Sequence, residues 1–339
     1  MEFIEAAIET NQLLAWAVLV TAFVILAKCA DLFVDSAVAH ADRFNIPRLV
    51  IGIVMVSLAT TAPEVSVSLI SALQGSPEMA LGNAIGSVIC DDGIALGLAG
   101  LFAAAPIMIL PSVLNTSAIF LILVEVLTFL FIVFDHQLGR IEGGILVVLL
   151  GLYFFILYRQ HKSGKHTADA EIVEELESID KTKGKPLAFL FLIFAIGLAG
   201  IIGSSHFIVT SATSIAHYIG IPEAVIALTL VALGTSIPEI ATCIIAARKG
   251  EGALAVGNIL GADILNICWV AGLSAVANPL TLSGKQISFM FPSMFIIVGT
   301  MLLMLRTGYR LTKAKGVVLL GLYGIYVASF FFVFPPAHH

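Results

Sequence analysis

Apolar stretches of about 20 residues recur from Leu13 to Phe334 with only short polar gaps between them, each long enough to cross the roughly 30 Å of hydrocarbon in a bilayer. Inside hydrocarbon every backbone N–H and C=O must find its partner within the chain, and spans of this length meet that requirement as helices. Ten spans are predicted, near 13–39, 48–73, 78–102, 111–134, 140–158, 187–216, 222–247, 253–277, 286–305 and 314–334, which makes the chain an all-α integral membrane protein. Of its 339 residues 59% are hydrophobic and 12% charged, where a soluble domain carries about a quarter charged residues. The formal charge of −6 is mild and the bases sit in loops, so the lipid bilayer is the expected partner and nucleic acid is not. Glu2, Glu5 and Glu9 leave the first residues without a basic n-region, so the first span is expected to stay in the mature protein. Cys29, Cys90, Cys243 and Cys268 fall in apolar spans without metal-ligand spacing and read as small packing residues.

Loop charge sets an orientation. The loops after spans 1, 5, 7 and 9 hold Arg43, Arg48, Arg159, Lys162, Lys165, Lys181, Lys183, Lys185, Arg248, Lys249, Arg306, Arg310, Lys313 and Lys315, which is 14 of the 17 Lys and Arg. The opposite loops hold Arg140 and Lys285, and Lys28 lies in span 1. By the positive-inside rule the basic loops are cytoplasmic and both termini lie outside the cytoplasm, in a cell (inner) membrane. The connection near 159–186 mixes six bases with six acids and reads as a solvated tether between two halves.

A shift of 175 residues lays Ile46-Pro47 on Ile221-Pro222, Thr60 on Thr235, Pro63-Glu64 on Pro238-Glu239, Gly82-Asn83 on Gly257-Asn258 and Gly86 on Gly261. Residues 46–101 and 221–276 share 19 identities in 56 positions with no insertion. The chain therefore reads as one unit duplicated: a five-helix repeat over 1–158, a cytoplasmic linker over 159–186 and a second repeat over 187–339. Five is odd, so the second copy is expected to cross the membrane inverted, an arrangement that puts a substrate site near the midplane.

In Ala59-Thr60-Thr61-Ala62-Pro63-Glu64 and Gly234-Thr235-Ser236-Ile237-Pro238-Glu239, each proline withholds an N–H and frees the carbonyls of Ala59 and Gly234. Hydrocarbon tolerates such carbonyls only where something binds them. Beside them stand the hydroxyls of Thr60, Thr61, Thr235 and Ser236 and the carboxylates of Glu64 and Glu239. An all-oxygen set suits hard cations such as Ca²⁺ and Na⁺ and not soft transition metals. A buried acid costs at least about 2.5–3.5 kcal/mol at a helix centre, so mirrored acids imply a cationic partner. In spans 3 and 8, Asn83, Ser87 and Asp91, and Asn258, Ala262 and Asn266, follow at intervals of four, each trio lining one helical face. The predicted cage holds Glu64, Glu239 and Asp91 as formal acids, with Asn266 as its neutral fourth member.

These motifs resemble the alpha repeats of the cation/calcium exchanger superfamily, a G-[ST]-S-x-P-[ED] segment followed by G-[NS]-x-x-G-S-N-x-x-[ND]. The likeness runs over essentially the whole chain, Ala30-Asp31 and Asp35 in span 1 included. The resemblance implies that Glu64 and Glu239 are the principal Ca²⁺ ligands, flanked by Asp91 and Asn266. It further implies that Thr60, Thr61, Thr235, Ser236, Ser87 and the carbonyls of Ala59 and Gly234 serve Na⁺. The implied activity is transport without a cofactor: exchange of Ca²⁺ for Na⁺ by alternating access, with Ca²⁺/H⁺ exchange as the alternative. Prokaryotic sodium/calcium exchangers typically carry Asn at the last motif position of the first repeat and Asp in the second, whereas this chain has Asp91 and Asn266. Val88 and Asp263 stand in place of the usual Asn, Ala262 loses a hydroxyl and Asp92 adds an acid.

Asn83, Asn258, Asp92 and Asp263 are secondary candidates for ion contact, the two aspartates being rotated off the cage face. Lys28 and Asp31, three apart, are expected to neutralise one another, and Glu125 and His206 to be satisfied within the packing. An intramembrane aspartyl protease would also place Asp in spans, but the chain lacks its GxGD signature and mirrored Pro-Glu motifs have no use in that chemistry. A passive cation channel would show no flux coupling.

Overall fold

A computed structural model describes residue 8 and residues 11–44, 46–134, 136–162, 186–218 and 233–333. Most of the linker expected at 159–186 and the first part of the span expected at 222–247 lie outside the described residues. The helices are α1 (Gln12–Phe44), α2 (Arg48–Thr60), α3 (Ala62–Leu73), α4 (Pro77–Phe102), α5 (Pro111–Val133), α6 (Arg140–Lys162), α7 (Leu187–Tyr218), α8 (Ile237–Arg248), α9 (Gly252–Ala277), α10 (Gly284–Arg306) and α11 (Lys313–Val333). Among the described residues eight helices are long and apolar enough to cross a membrane, and α2 with α3, bent by 44°, makes a ninth candidate. The remaining predicted span, the seventh at 222–247, is described only in its second part, α8.

Helix boundaries follow the shift found in the sequence. Adding 175 to the limits of α3 gives those of α8, and adding it to those of α4 gives those of α9. α4 and α9 form the interior: 78% and 83% of their most apolar windows are buried, against 22–44% for α1, α5, α6, α7 and α10. The outer helices turn side chains such as Ile119, Val148 and Ile296 outward, as lipid-facing helices must. Two short antiparallel strand pairs tie the loops together. Ile107–Met108 pairs with Arg310–Leu311, and Gln137–Leu138 pairs with Leu280–Thr281. The first pair joins the loops after spans 3 and 9 and the second those after spans 4 and 8, so each joins loops that span parity assigns to one side.

Ion pairs do the same for the loops after spans 1 and 7. Arg48 is held between Asp42 at 3.2 Å and Glu251 at 2.6 Å, and Lys249 between Asp31 at 2.8 Å and Asp35 at 2.6 Å. The expected Lys28–Asp31 neutralisation is therefore wrong. α1 is 33 residues long, about 50 Å at 1.5 Å per residue, which outruns the hydrocarbon and brings Asp31 and Asp35, four apart on one face, to the α8–α9 loop.

α2 crosses α9 at glycines because backbone meets backbone there. A Cβ at Gly52 would fall 2.5 Å from the Leu254 carbonyl oxygen, and one at Gly257 would collide with the carbonyl of Leu49. Gly257→Ala should destabilise the protein by about 1–3 kcal/mol through overpacking. Gly144→Ala, which meets nothing within 4 Å, should be neutral or stabilising by up to about 1 kcal/mol. Thermal unfolding followed by size-exclusion chromatography separates the two, and equal melting temperatures would refute the close crossing.

Candidate functional site

The Pro-Glu segments break their spans as backbone chemistry requires. α2 ends at Thr60, Thr61 turns with φ −78° and ψ −2°, and α3 starts again with Pro63 in its first turn. In the second copy Ser236, with φ −83° and ψ 1°, precedes α8, which has Pro238 in its first turn. Proline fits there because the first-turn N–H has no helical partner to lose. Glu64 and Glu239 thereby sit in the first turns of half-helices, each 1% exposed, where the helix dipole offsets part of the cost of burying an acid.

Polar contacts in the site recur at the 175-residue shift, and they cross from one copy to the other. Thr60 Oγ1 donates to Asn258 Oδ1 at 3.2 Å, and Thr235 Oγ1 donates to Asn83 Oδ1 at 3.2 Å. Asn83 Nδ2 donates to Ser68 Oγ at 3.0 Å, and Ser68 to the Ala80 carbonyl at 3.1 Å. Asn258 Nδ2 meets Cys243 Sγ at 3.8 Å, and Cys243 the Ala255 carbonyl at 3.4 Å. Thr60 stands beside Glu239 and Thr235 beside Glu64. Thr61 Oγ1 donates to Glu239 Oε1 at 3.5 Å, and Ser236 stands beside Asp91. Asn266 Nδ2 donates to Asp91 Oδ2 at 3.4 Å. Those two residues are each other's counterparts, so their contact lies where the copies meet.

Reading Cys243 as a packing residue alone missed its place in this chain of contacts. The signal was available, since the shift lays Ser68 on Cys243 and both are small acceptors. α4 widens to a π-turn at Asp91–Ala95 and α9 at Asn266–Ala271, a distortion frequent at functional sites. Asp91 and Asn266 open those two turns.

Several of these atoms are left over. Among the described residues, both carboxylate oxygens of Glu64, Oε2 of Glu239, Oδ1 of Asp91, Oδ1 of Asn266 and the hydroxyls of Ser87 and Ser236 are buried without a hydrogen-bond partner, each at a cost of about 1–3 kcal/mol in an apolar interior. All are oxygens, the donor set of a hard cation. Among the described residues no group of three or more His, Cys, Asp or Glu could hold a metal ion. The carboxyls rest against hydroxyls and an amide instead. Ala59 and Gly234 flank the two breaks, two residues before Thr61 and Ser236. Asp92 and Asp263 neighbour each other, and both lie within charge range of Asp91.

Comparison with known proteins shows the family of the chain. A model of the sodium/calcium exchanger protein family matches residues 14–159 and 189–332. The chain belongs to the sodium/calcium exchanger family. Inner membrane protein YrbG of Escherichia coli is 34% identical over 325 residues, covering 95% of this chain and 98% of that protein. Sodium/calcium exchanger MaX1 of Methanosarcina acetivorans is 28% identical, covering 93% of this chain and 98% of its own. The solved structure of the sodium-calcium exchanger NCX_Mj soaked with 2.5 mM Na⁺ and 10 mM Sr²⁺ superimposes with a TM-score of 0.78 at 25% identity, covering 94% of this chain and 99% of that one. Family membership makes the protein a membrane-embedded cation antiporter, and the family's two matched blocks fall on either side of the linker.

Proposed function

We propose that the protein exchanges Ca²⁺ for Na⁺ by alternating access at the site where the two copies meet, with Glu64, Glu239 and Asp91 as the charged ligands. The observation that carries this reading is the reciprocity of the contacts: Thr60 with Asn258, Thr235 with Asn83, and Asp91 with Asn266. A site made of two opposed copies of one motif has two equivalent ways of closing, as an inverted repeat of five helices in each half would supply. Ca²⁺ would draw the carboxylates off Thr60, Thr61, Thr235 and Ser236. Na⁺ would use those hydroxyls, Ser87 and the carbonyls of Ala59 and Gly234, because a monovalent ion needs less formal charge.

Ca²⁺/H⁺ exchange draws on one further observation. Glu64, Asp91, Asp92, Glu125, Glu239 and Asp263 are all at most 1% exposed, and no ion pair reaches any of them among the described residues. ⁴⁵Ca²⁺ uptake into proteoliposomes under separately imposed Na⁺, K⁺ and H⁺ gradients discriminates the readings. Uptake driven by an outward Na⁺ gradient at equal pH supports Na⁺ coupling, and uptake driven only by a pH difference refutes it. Thr60→Val and Thr235→Val should each weaken Na⁺ dependence by about fivefold, the worth of one net hydrogen bond near 1 kcal/mol, and Ca²⁺ affinity by less. Equal losses for both ions would argue against separate ligand sets.

A further inference from the structure

We infer that the ion pairs around Lys249 and Arg48 are a one-sided latch that holds the exchanger closed on the side of the α8–α9 turn, which the loop charges assign to the cytoplasm. The inference rests on the alternating-access reading above and adds to it what makes the two ways of closing unequal. Lys249, Gly250 and Glu251 join α8 to α9, and Gln74, Gly75 and Ser76 join α3 to α4. The two turns are one backbone structure made twice. Gly75 and Gly250 take φ 81° and 83°. The Gln74 N–H donates to the Ile70 carbonyl at 2.9 Å and the Lys249 N–H to that of Ile245 at 3.0 Å. The Ser76 N–H donates to the Ser71 carbonyl and the Glu251 N–H to that of Ala246, both at 2.8 Å.

The side chains on the two turns differ. Lys249 Nζ lies 2.8 Å from Asp31 and 2.6 Å from Asp35 and also donates to the Asp31 carbonyl at 3.0 Å. Glu251 lies 2.6 Å from Arg48, and these two side chains, 14% and 7% exposed, are largely shielded from salt. At the 175-residue shift Lys249 answers to Gln74, Glu251 to Ser76, Asp31 to His206 and Asp35 to Thr210. Gln74, Ser76 and Thr210 carry no charge, so the α3–α4 turn cannot make the same ties to α7. Each tie also grips the far end of an element that reaches the ion site. Lys249 follows α8, whose first turn holds Glu239 about 15 Å away at 1.5 Å per residue, and Arg48 opens α2, which ends at Thr60. Single exposed pairs contribute little to stability, but two near-equal states respond to little: a fivefold change in their ratio takes roughly 1 kcal/mol.

The test uses the full chain in everted and right-side-out membrane vesicles, which present the cytoplasmic and the opposite face, and reads the half-saturating Ca²⁺ concentration for ⁴⁵Ca²⁺/Ca²⁺ exchange at each. Lys249→Gln gives the second turn the residue of the first. It should lower the half-saturating concentration at the cytoplasmic face about fivefold and leave it unchanged or raised at the other, because apparent affinity scales with the population of the competent state. Lys249→Asp should act likewise, and adding Asp35→Lys, which reverses the pair, should restore most of the difference between the faces. A packing defect would weaken both faces alike and would not be rescued by reversed charge. Equal shifts at both faces, no shift, or a shift confined to the opposite face overturns the latch and leaves the antiporter intact. If the unmodified protein exchanges no Ca²⁺, the Ca²⁺ reading itself falls, and hydrogen–deuterium exchange decides the latch: the α8–α9 turn should exchange faster in Lys249→Gln, and equal protection overturns it.

Discussion

Glu64→Gln and Glu239→Gln are each expected to abolish Ca²⁺ transport. A divalent ion leaving water needs formal negative charge as well as oxygen ligands, and both carboxyls sit at the broken ends of half-helices, each 1% exposed. Removing one charge from a buried ion contact costs about 2–5 kcal/mol, roughly 30- to several-thousand-fold in affinity. The amide keeps the size of the side chain and its contact with the opposing threonine, Thr235 for Glu64 and Thr60 for Glu239, so folding should be retained. ⁴⁵Ca²⁺ uptake by protein that elutes as a single species is the measurement. Near-normal uptake by either variant would remove that carboxyl from the site.

Asp91→Asn should lose most Ca²⁺ transport, and adding Asn266→Asp should recover a measurable part of it. The two side chains touch each other at 3.4 Å at equivalent places in the two copies. The double change therefore moves a carboxylate across one hydrogen bond and keeps the number of acids at three. Residues that share a partner couple by about 0.5–3 kcal/mol, so the double variant should lose less than the sum of the two single effects by that margin. If it is no better than Asp91→Asn alone, the position of the charge governs and its number does not.

Much of this was legible in the residues because the chain states its motif twice. The breaks at Thr61 and Ser236 follow from proline chemistry, and the pairing of Thr60 with Asn258 follows once α2 and α9 cross at Gly52 and Gly257. The facing of Asp91 and Asn266 could be expected from their equivalence. Other features depend on how far one helix turns or extends relative to another, which no local pattern carries. The π-turns at Asp91–Ala95 and Asn266–Ala271 depart from the 3.6-residue period on which face assignments rely. Lys249 takes Asp31 because α1 and α8, far apart in the chain, pack against each other. Glu125 comes within charge range of Asp92 and of Asp263, the latter on a helix far away in the chain.

The reciprocal contacts also set a clock for biosynthesis. Asp91 meets a residue made 175 positions later, Thr60 one made 198 later and Asn83 one made 152 later. At roughly 5–20 residues per second on the ribosome, the first half waits on the order of 8–40 s in the bilayer before its acids and amides meet their partners. Through that interval Glu64, Asp91 and Asp92 must be served by water, protons or the insertion machinery. Ribosome pausing between the halves should therefore lower the yield of folded exchanger more than an equal pause after α9 has emerged.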